Sequence, residues 1–182
     1  NATLLLCSTD ADVQLFGELG GAPDPGGSWT DPDGDPFSGT FDPGSDDPGI
    51  YTYTVQGQAP CVDASSTVTI TVTPAPNAGS SGTALVCSTE GAFDLVDSLG
   101  GSPAVNGTWT DPNSVNVPSG TYVPGTSTPG LYTYTVTGLA PCANAITTVV
   151  GADTMPVDAI PVSALGTFAV IQAFGLSPHL LT

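Results

Sequence analysis

Tyr51-Thr52-Tyr53-Thr54-Val55 and, further along the same 182-residue chain, Tyr132-Thr133-Tyr134-Thr135-Val136 are one pentapeptide met twice. Successive side chains of a strand point to opposite faces, so strict alternation of apolar and hydroxyl residues predicts a strand with one buried and one wet face. Tyr and Val take the buried face and Thr the wet one. Each copy follows a Pro-Gly pair, Pro48-Gly49 and Pro129-Gly130, of the kind that closes turns.

Working outward, the match continues. Cys7-Ser8-Thr9 recurs as Cys87-Ser88-Thr89, Gly20-Gly21 as Gly100-Gly101, and Trp29-Thr30-Asp31-Pro32 as Trp109-Thr110-Asp111-Pro112. The offset between copies is constant over these motifs and grows by a single insertion before the tyrosine strand. Half of the positions in Cys7–Pro32 are identical in Cys87–Pro112, and two thirds of those in Ser38–Cys61 are identical in Ser119–Cys142, which establishes two copies of one module. A second alternating run sets Val68, Ile70 and Val72 against Thr67, Thr69 and Thr71, and a single helical turn is expected around Leu15–Leu19. Six or seven short strands per copy, separated by Pro/Gly turns, predict an all-β fold: two tandem Ig-like antiparallel sandwiches over residues 1–76 and 77–155, then an apolar tail over 156–182. In the second copy the run Thr147–Val150 is followed by Gly151 and Asp153, poor strand residues, so that module is expected to lack part of an edge strand.

Composition excludes several functions. The chain has 17 acidic residues, no Lys or Arg and a formal charge of -17, so nothing can neutralise phosphates, and nucleic acid and anionic membrane surfaces are excluded as partners. His179 is the single histidine, and no nucleophile elbow or paired acid accompanies it, so no enzyme is expected. The interval from Cys7 to Cys61 is matched, to within the single insertion, by that from Cys87 to Cys142. Among the three connectivities open to four cysteines, this duplicated spacing favours one disulfide inside each copy, in an oxidising compartment. The first residue is not Met and no charged leader precedes an apolar run, so any secretory signal is expected to have been removed already.

The ordered motifs Cys-Ser-Thr, Leu-Gly-Gly, Gly-x-Trp-Thr-Asp-Pro, Ser-Gly-Thr-x-x-Pro-Gly, Pro-Gly-x-Tyr-Thr-Tyr-Thr-Val and Ala-Pro-Cys resemble the Ig-like (PKD-like) repeats of large secreted surface adhesins in Bacteroidetes-type bacteria. The resemblance covers about Ala2–Val72 and Thr83–Val150. It implies disulfide-stapled sandwiches at the bacterial surface, acting as spacers or adhesive units, and no catalytic residue. Two copies followed by an apolar tail depart from that pattern, in which many copies precede a sorting domain.

Some residues have two readings. Asp31, Asp33 and Asp35 alternate as calcium ligands do, making a candidate structural calcium loop in the first copy, whereas Asp111-Pro112-Asn113-Ser114 has lost two of the carboxylates; the alternative is a solvated turn. No other cofactor is expected. Trp29 and Trp109 could stack on sugars, but identical placement beside an alternating strand favours the core, and Tyr51 and Tyr132 have the position of a tyrosine corner. Asn1 and Asn106 begin N-glycosylation triplets, and Asp97-Ser98-Leu99 and Asp153-Thr154-Met155 resemble a short O-glycosylation motif.

The tail decides the expected function. In an extended conformation Val162, Phe168, Val170, Phe174 and Leu176 share one face, as a strand laid into a neighbour's sheet edge requires. Packing on its own module, a membrane span and a sorting segment are the alternatives, and the span lacks a Lys/Arg flank. The expected function is a structural subunit of an extracellular filament, fibre or surface layer, a head-to-tail homopolymer formed by strand addition of the tail. The alternative is an adhesive module that binds a glycan or host surface.

Overall fold

The computed structural model describes residues 1–154. Val162, Phe168, Val170, Phe174 and Leu176, the candidate assembly residues, lie outside the described residues. The described chain forms two compact units, one from Asn1–Asn77 with Val136–Ala145, the other from Ala78–Thr135 with residues 146–154.

The first repeat runs β1 (Ala2–Cys7), β2 (Val13–Gln14), α1 (Leu15–Glu18), β3 (Ser28–Thr30), β4 (Pro36–Phe37), β5 (Thr40–Phe41), β6 (Gly49–Val55) and β7 (Ala64–Thr73). One sheet has the order β1-β7-β6-β3-β4, and β2 pairs with β5 in a two-stranded ribbon. Leu15, Leu19, Trp29, Phe41, Tyr51, Tyr53, Val68 and Ile70 from both layers close into one core. The second repeat runs β8 (Gly82–Cys87), β9 (Phe93–Asp94), a 3-10 turn at Leu95–Ser98, β10 (Thr108–Thr110), β11 (Thr121–Tyr122), β12 (Gly130–Val136) and β13 (Ala145–Thr154), with sheet order β10-β12-β13-β8 and a β11-β9 ribbon. Each repeat is an Ig-like sandwich.

Trp29 and Trp109 are buried core residues. Their positions are fixed by glycine: Gly39 and Gly120 have φ of +88° and +61°, and a Cβ there would lie 2.9 and 2.7 Å from the indole. Tyr51 and Tyr132 are tyrosine corners, their buried hydroxyls donating to the carbonyls of Asp47 and Thr128 at 2.9 Å. Burial, reinforced by the carboxylates of Asp46, Asp31, Asp47 and Asp33, pushes the Tyr51 phenol up to about 12. The folded state therefore keeps this proton to higher pH than the unfolded chain. The associated stability is complete below about pH 10 and disappears as pH climbs to about 12. Thermal melts over that interval are expected to fall more steeply for the wild type than for Tyr51→Phe; parallel curves would contradict the account.

Two expectations are corrected. The sheets are not wholly antiparallel: β1 runs parallel to β7, with Ala2 opposite Val68 and Cys7 opposite Thr73, and β8 runs parallel to β13, with Thr154 opposite Cys87. First and last strands are joined through the whole module, so the connection is long enough for parallel pairing. Nor is the second repeat short of a strand, since β13 is continuous for ten residues, as β7 is. Gly151 leaves room for an aromatic ring, because a Cβ there would lie 2.7 Å from the Tyr122 ring. Asp153 accepts the Tyr122 hydroxyl at 2.5 Å and the Gly125 N–H at 2.6 Å. The first repeat fills the equivalent positions with Phe41, Ile70 and Val72, so three residues have changed together around one added hydroxyl.

Candidate functional site

A chain without Lys or Arg satisfies carboxylates from backbone N–H groups. Asp31 Oδ1 accepts from Asp33 N at 3.0 Å and Asp35 N at 2.8 Å, closing the loop between β3 and β4. Asp111 closes its own loop in the same way, accepting from Asn113 N and Val115 N at 2.9 and 2.8 Å. The first carboxylate of the candidate calcium loop therefore has a turn-closing task that needs neither Asp33 nor Asp35 as an acid. Among the described residues no three acidic, His or Cys side chains are grouped to hold a metal ion. The Ser45 hydroxyl and then the Gly44 N–H hold the Asp42 carboxyl below its usual range in the same capping manner. A shallow groove of about 320 Å³ on the first unit is lined by Gly20, Ala22, Asp24, Tyr53 and Ser66 among others. The Tyr53 hydroxyl there is already engaged, accepting from Gly27 N and donating to the Asp24 carbonyl.

The chemistry of the molecule lies in its cysteines. The disulfide joins Cys7 to Cys142, with Cα atoms 4.9 Å apart, and Cys61 and Cys87 are free. The pairings Cys7 with Cys61 and Cys87 with Cys142, expected from the spacing, are not formed, for a reason visible in the sheet. Cys7 lies opposite Thr73 at the end of β7, whereas Cys61 precedes Ala64 at its beginning. A ten-residue strand spans about 30 Å, far beyond the roughly 7 Å between Cα atoms that a disulfide tolerates. The parallel pairing of β8 with β13 separates Cys87 from Cys142 likewise. The bond therefore cannot form inside a repeat, and it links the last residue of β1 to the hairpin segment Val136–Ala145 that belongs to the same compact unit.

The two cysteine settings are each built twice. At the strand end, Asp10 N donates to Cys7 O and Glu90 N to Cys87 O, both at 2.9 Å, while Ser8 N and Ser88 N donate to the carbonyls of Thr73 and Thr154. Thr9 and Thr89 hydroxyls lie 3.3 and 3.2 Å from the respective sulfurs. At the hairpin, Cys61 N donates to Gln58 O and Cys142 N to Leu139 O, both at 2.8 Å. Gly57 N donates to Asp63 Oδ1 and Gly138 N to Asn144 Oδ1, at 2.8 and 3.0 Å. The cis peptides Ala59-Pro60 and Ala140-Pro141 precede both hairpin cysteines.

No family model matches the chain, and no curated protein matches it. No described helix is long and apolar enough to cross a membrane. Among solved structures the chain is similar to an I-band fragment of titin, at 14% identity and a TM-score of 0.45, covering 86% of this chain and 63% of that one. It is also similar to the insect immune protein hemolin, at 16% identity and a TM-score of 0.37, covering 59% of this chain and 29% of that one. The Sidekick-1 immunoglobulin domains give 14% identity and a TM-score of 0.33, covering 86% of this chain and 40% of that one. The chain spans less than two thirds of the length of each of these structures.

Proposed function

We propose that the chain is a structural subunit of an extracellular filament, fibre or surface layer, assembled head-to-tail. The observation that supports this reading best is the bond from Cys7 in the first repeat to Cys142 in the sequence of the second. The inter-repeat linker lies inside the loop that this bond closes, so tension applied outside the loop passes through the covalent bond and bypasses the linker, as suits a load-bearing element in an oxidising medium. In this reading the tail, through Val162, Phe168, Val170, Phe174 and Leu176, adds as a strand to a neighbour. Because both repeats carry complete sheets, it extends an edge such as β1 or β8, the outermost strands, and does not fill a gap. Head-to-tail contacts of this kind do not close, so they propagate. Negative-stain microscopy of the purified full chain is expected to show regular polymers, and deletion of residues 157–182 is expected to leave folded monomers. Normal polymers from the truncated protein would remove the tail from the mechanism, and monomers from the full chain would remove the filament. The second reading, an adhesive module of a larger bacterial surface protein, is favoured by the open groove beside Tyr53; saturable glycan binding by a monomeric full chain would establish it.

A further inference from the structure

The formed bond has a direction: the cysteine ending the first strand of one repeat joins the hairpin cysteine of the repeat that follows. Applied once more at each end, this rule leaves two complementary halves. Cys87 is a strand-end cysteine and Cys61 a hairpin cysteine, and among the described residues both are free. Neither can bond within its own repeat, because each sits at the opposite end of a ten-residue strand from the other cysteine of that repeat. Nor are they merely two surface thiols. The main-chain hydrogen bonds around Cys87 match those around Cys7, except that Cys7 N also donates to Asp10 Oδ2, and the main-chain and Asx-type bonds around Cys61 match those around Cys142, so each half resembles its counterpart in a disulfide that exists.

We propose that Cys87 of one copy of this chain forms a disulfide with Cys61 of the next copy, repeating between subunits the bond that Cys7 and Cys142 make within one. The partner, a second copy in head-to-tail order, rests on the filament reading above. Every copy offers one strand-end and one hairpin cysteine, so the covalent linkage is open and polymeric. The oxidant is a small-molecule disulfide such as oxidised glutathione. The Cys87 thiolate attacks one of its sulfurs and expels a glutathione thiolate. The Cys61 thiolate of the next copy then attacks the Cys87 sulfur of the mixed disulfide and expels the second. In total, two protein thiols and one glutathione disulfide become one protein disulfide and two glutathione thiols. Hydrogen bonding from Thr89 holds the Cys87 thiol below its usual range, which enlarges the attacking thiolate fraction. Cys61 is exposed and Cys87 half-buried, so the hairpin is the accessible partner.

Single substitutions make the test directional. In a glutathione redox buffer the wild-type full chain is expected to give a ladder on non-reducing gels that collapses on reduction. Cys61→Ser alone and Cys87→Ser alone are each expected to stay monomeric. Mixed together, they are expected to give one covalent dimer and nothing larger, because Cys87 of the first variant meets Cys61 of the second. Digestion at acidic residues, the chain having no tryptic sites, should recover a Cys61–Cys87 cross-linked peptide. Dimers from either variant alone, a wild type that stops at dimer, or a mixture that stays monomeric would each overturn the proposal. Microscopy of the variant lacking both thiols separates this from the reading it rests on: fibres that persist without the ladder support both strand addition and a separate covalent lock. Absent fibres together with a dimer in the mixing experiment would sink the non-covalent filament and leave the disulfide standing.

Discussion

Cys142→Ser is expected to lower the stability of the first unit by up to about 5 kcal/mol, whereas Cys61→Ser, at the equivalent position of the other repeat, changes it by less than about 0.5 kcal/mol in dilute solution. The size follows from the separation of 135 residues between Cys7 and Cys142, which makes the cross-linked loop one of the longest the chain can close. Both bonded cysteines are buried, at 3% and 7% exposure, so the serine hydroxyl also lacks its water. Thermal unfolding of the two variants and of the wild type with and without reductant measures the effect. Reduced wild type should match Cys142→Ser. Equal losses from Cys61→Ser and Cys142→Ser would instead restore one disulfide inside each repeat.

Gly151→Ile is the second large effect, expected to cost the second repeat about 3–5 kcal/mol, from overpacking plus loss of the partly buried hydrogen bond from Tyr122 to Asp153. The Tyr122 phenol is raised above its usual range, by burial first and by the Asp153 carboxylate second, and a displaced ring leaves Asp153 Oδ1 without its phenolic donor while Gly125 N still serves Oδ2. Adding Tyr122→Phe and Asp153→Val to Gly151→Ile recreates the Phe41, Ile70 and Val72 set of the first repeat and is expected to recover at least half of the loss. Chemical denaturation of the single, double and triple variants gives the coupling directly. A triple variant no better than Gly151→Ile would show that the three positions do not act as one packing unit.

These residues also show where reading by pattern stops. The alternation Tyr51-Thr52-Tyr53-Thr54-Val55 depends on neighbours along one strand, and it places Tyr51 and Tyr53 in the core, as observed. The same local logic fails at Gly151 and Asp153, because their strand is justified by Tyr122, which is distant from both in sequence and touches them only once folded. A comparison of the repeats contains the signal: Phe41 to Tyr122, Ile70 to Gly151 and Val72 to Asp153 change in concert, and a hydroxyl gained opposite a carboxylate gained is a contact.

For the cysteines the limit is geometric. Matched spacing is a property of the chain as a string, and it treats Cys7 with Cys61 as equal to any other pair at the same interval. Whether two sulfurs meet depends on the end of the sheet to which each is carried, and that depends on the relative direction of β1 and β7, which alternation does not encode. The amino-acid sequence by itself determined the duplication, the β class, the buried tryptophans, the tyrosine corners and the absence of cationic chemistry, because each is carried by residue type or by contacts between near neighbours. Only the tertiary structure decided the parallel edge strands, the continuity of β13 and the joining of Cys7 to Cys142 with Cys61 and Cys87 left free, because each depends on where distant segments are brought in space.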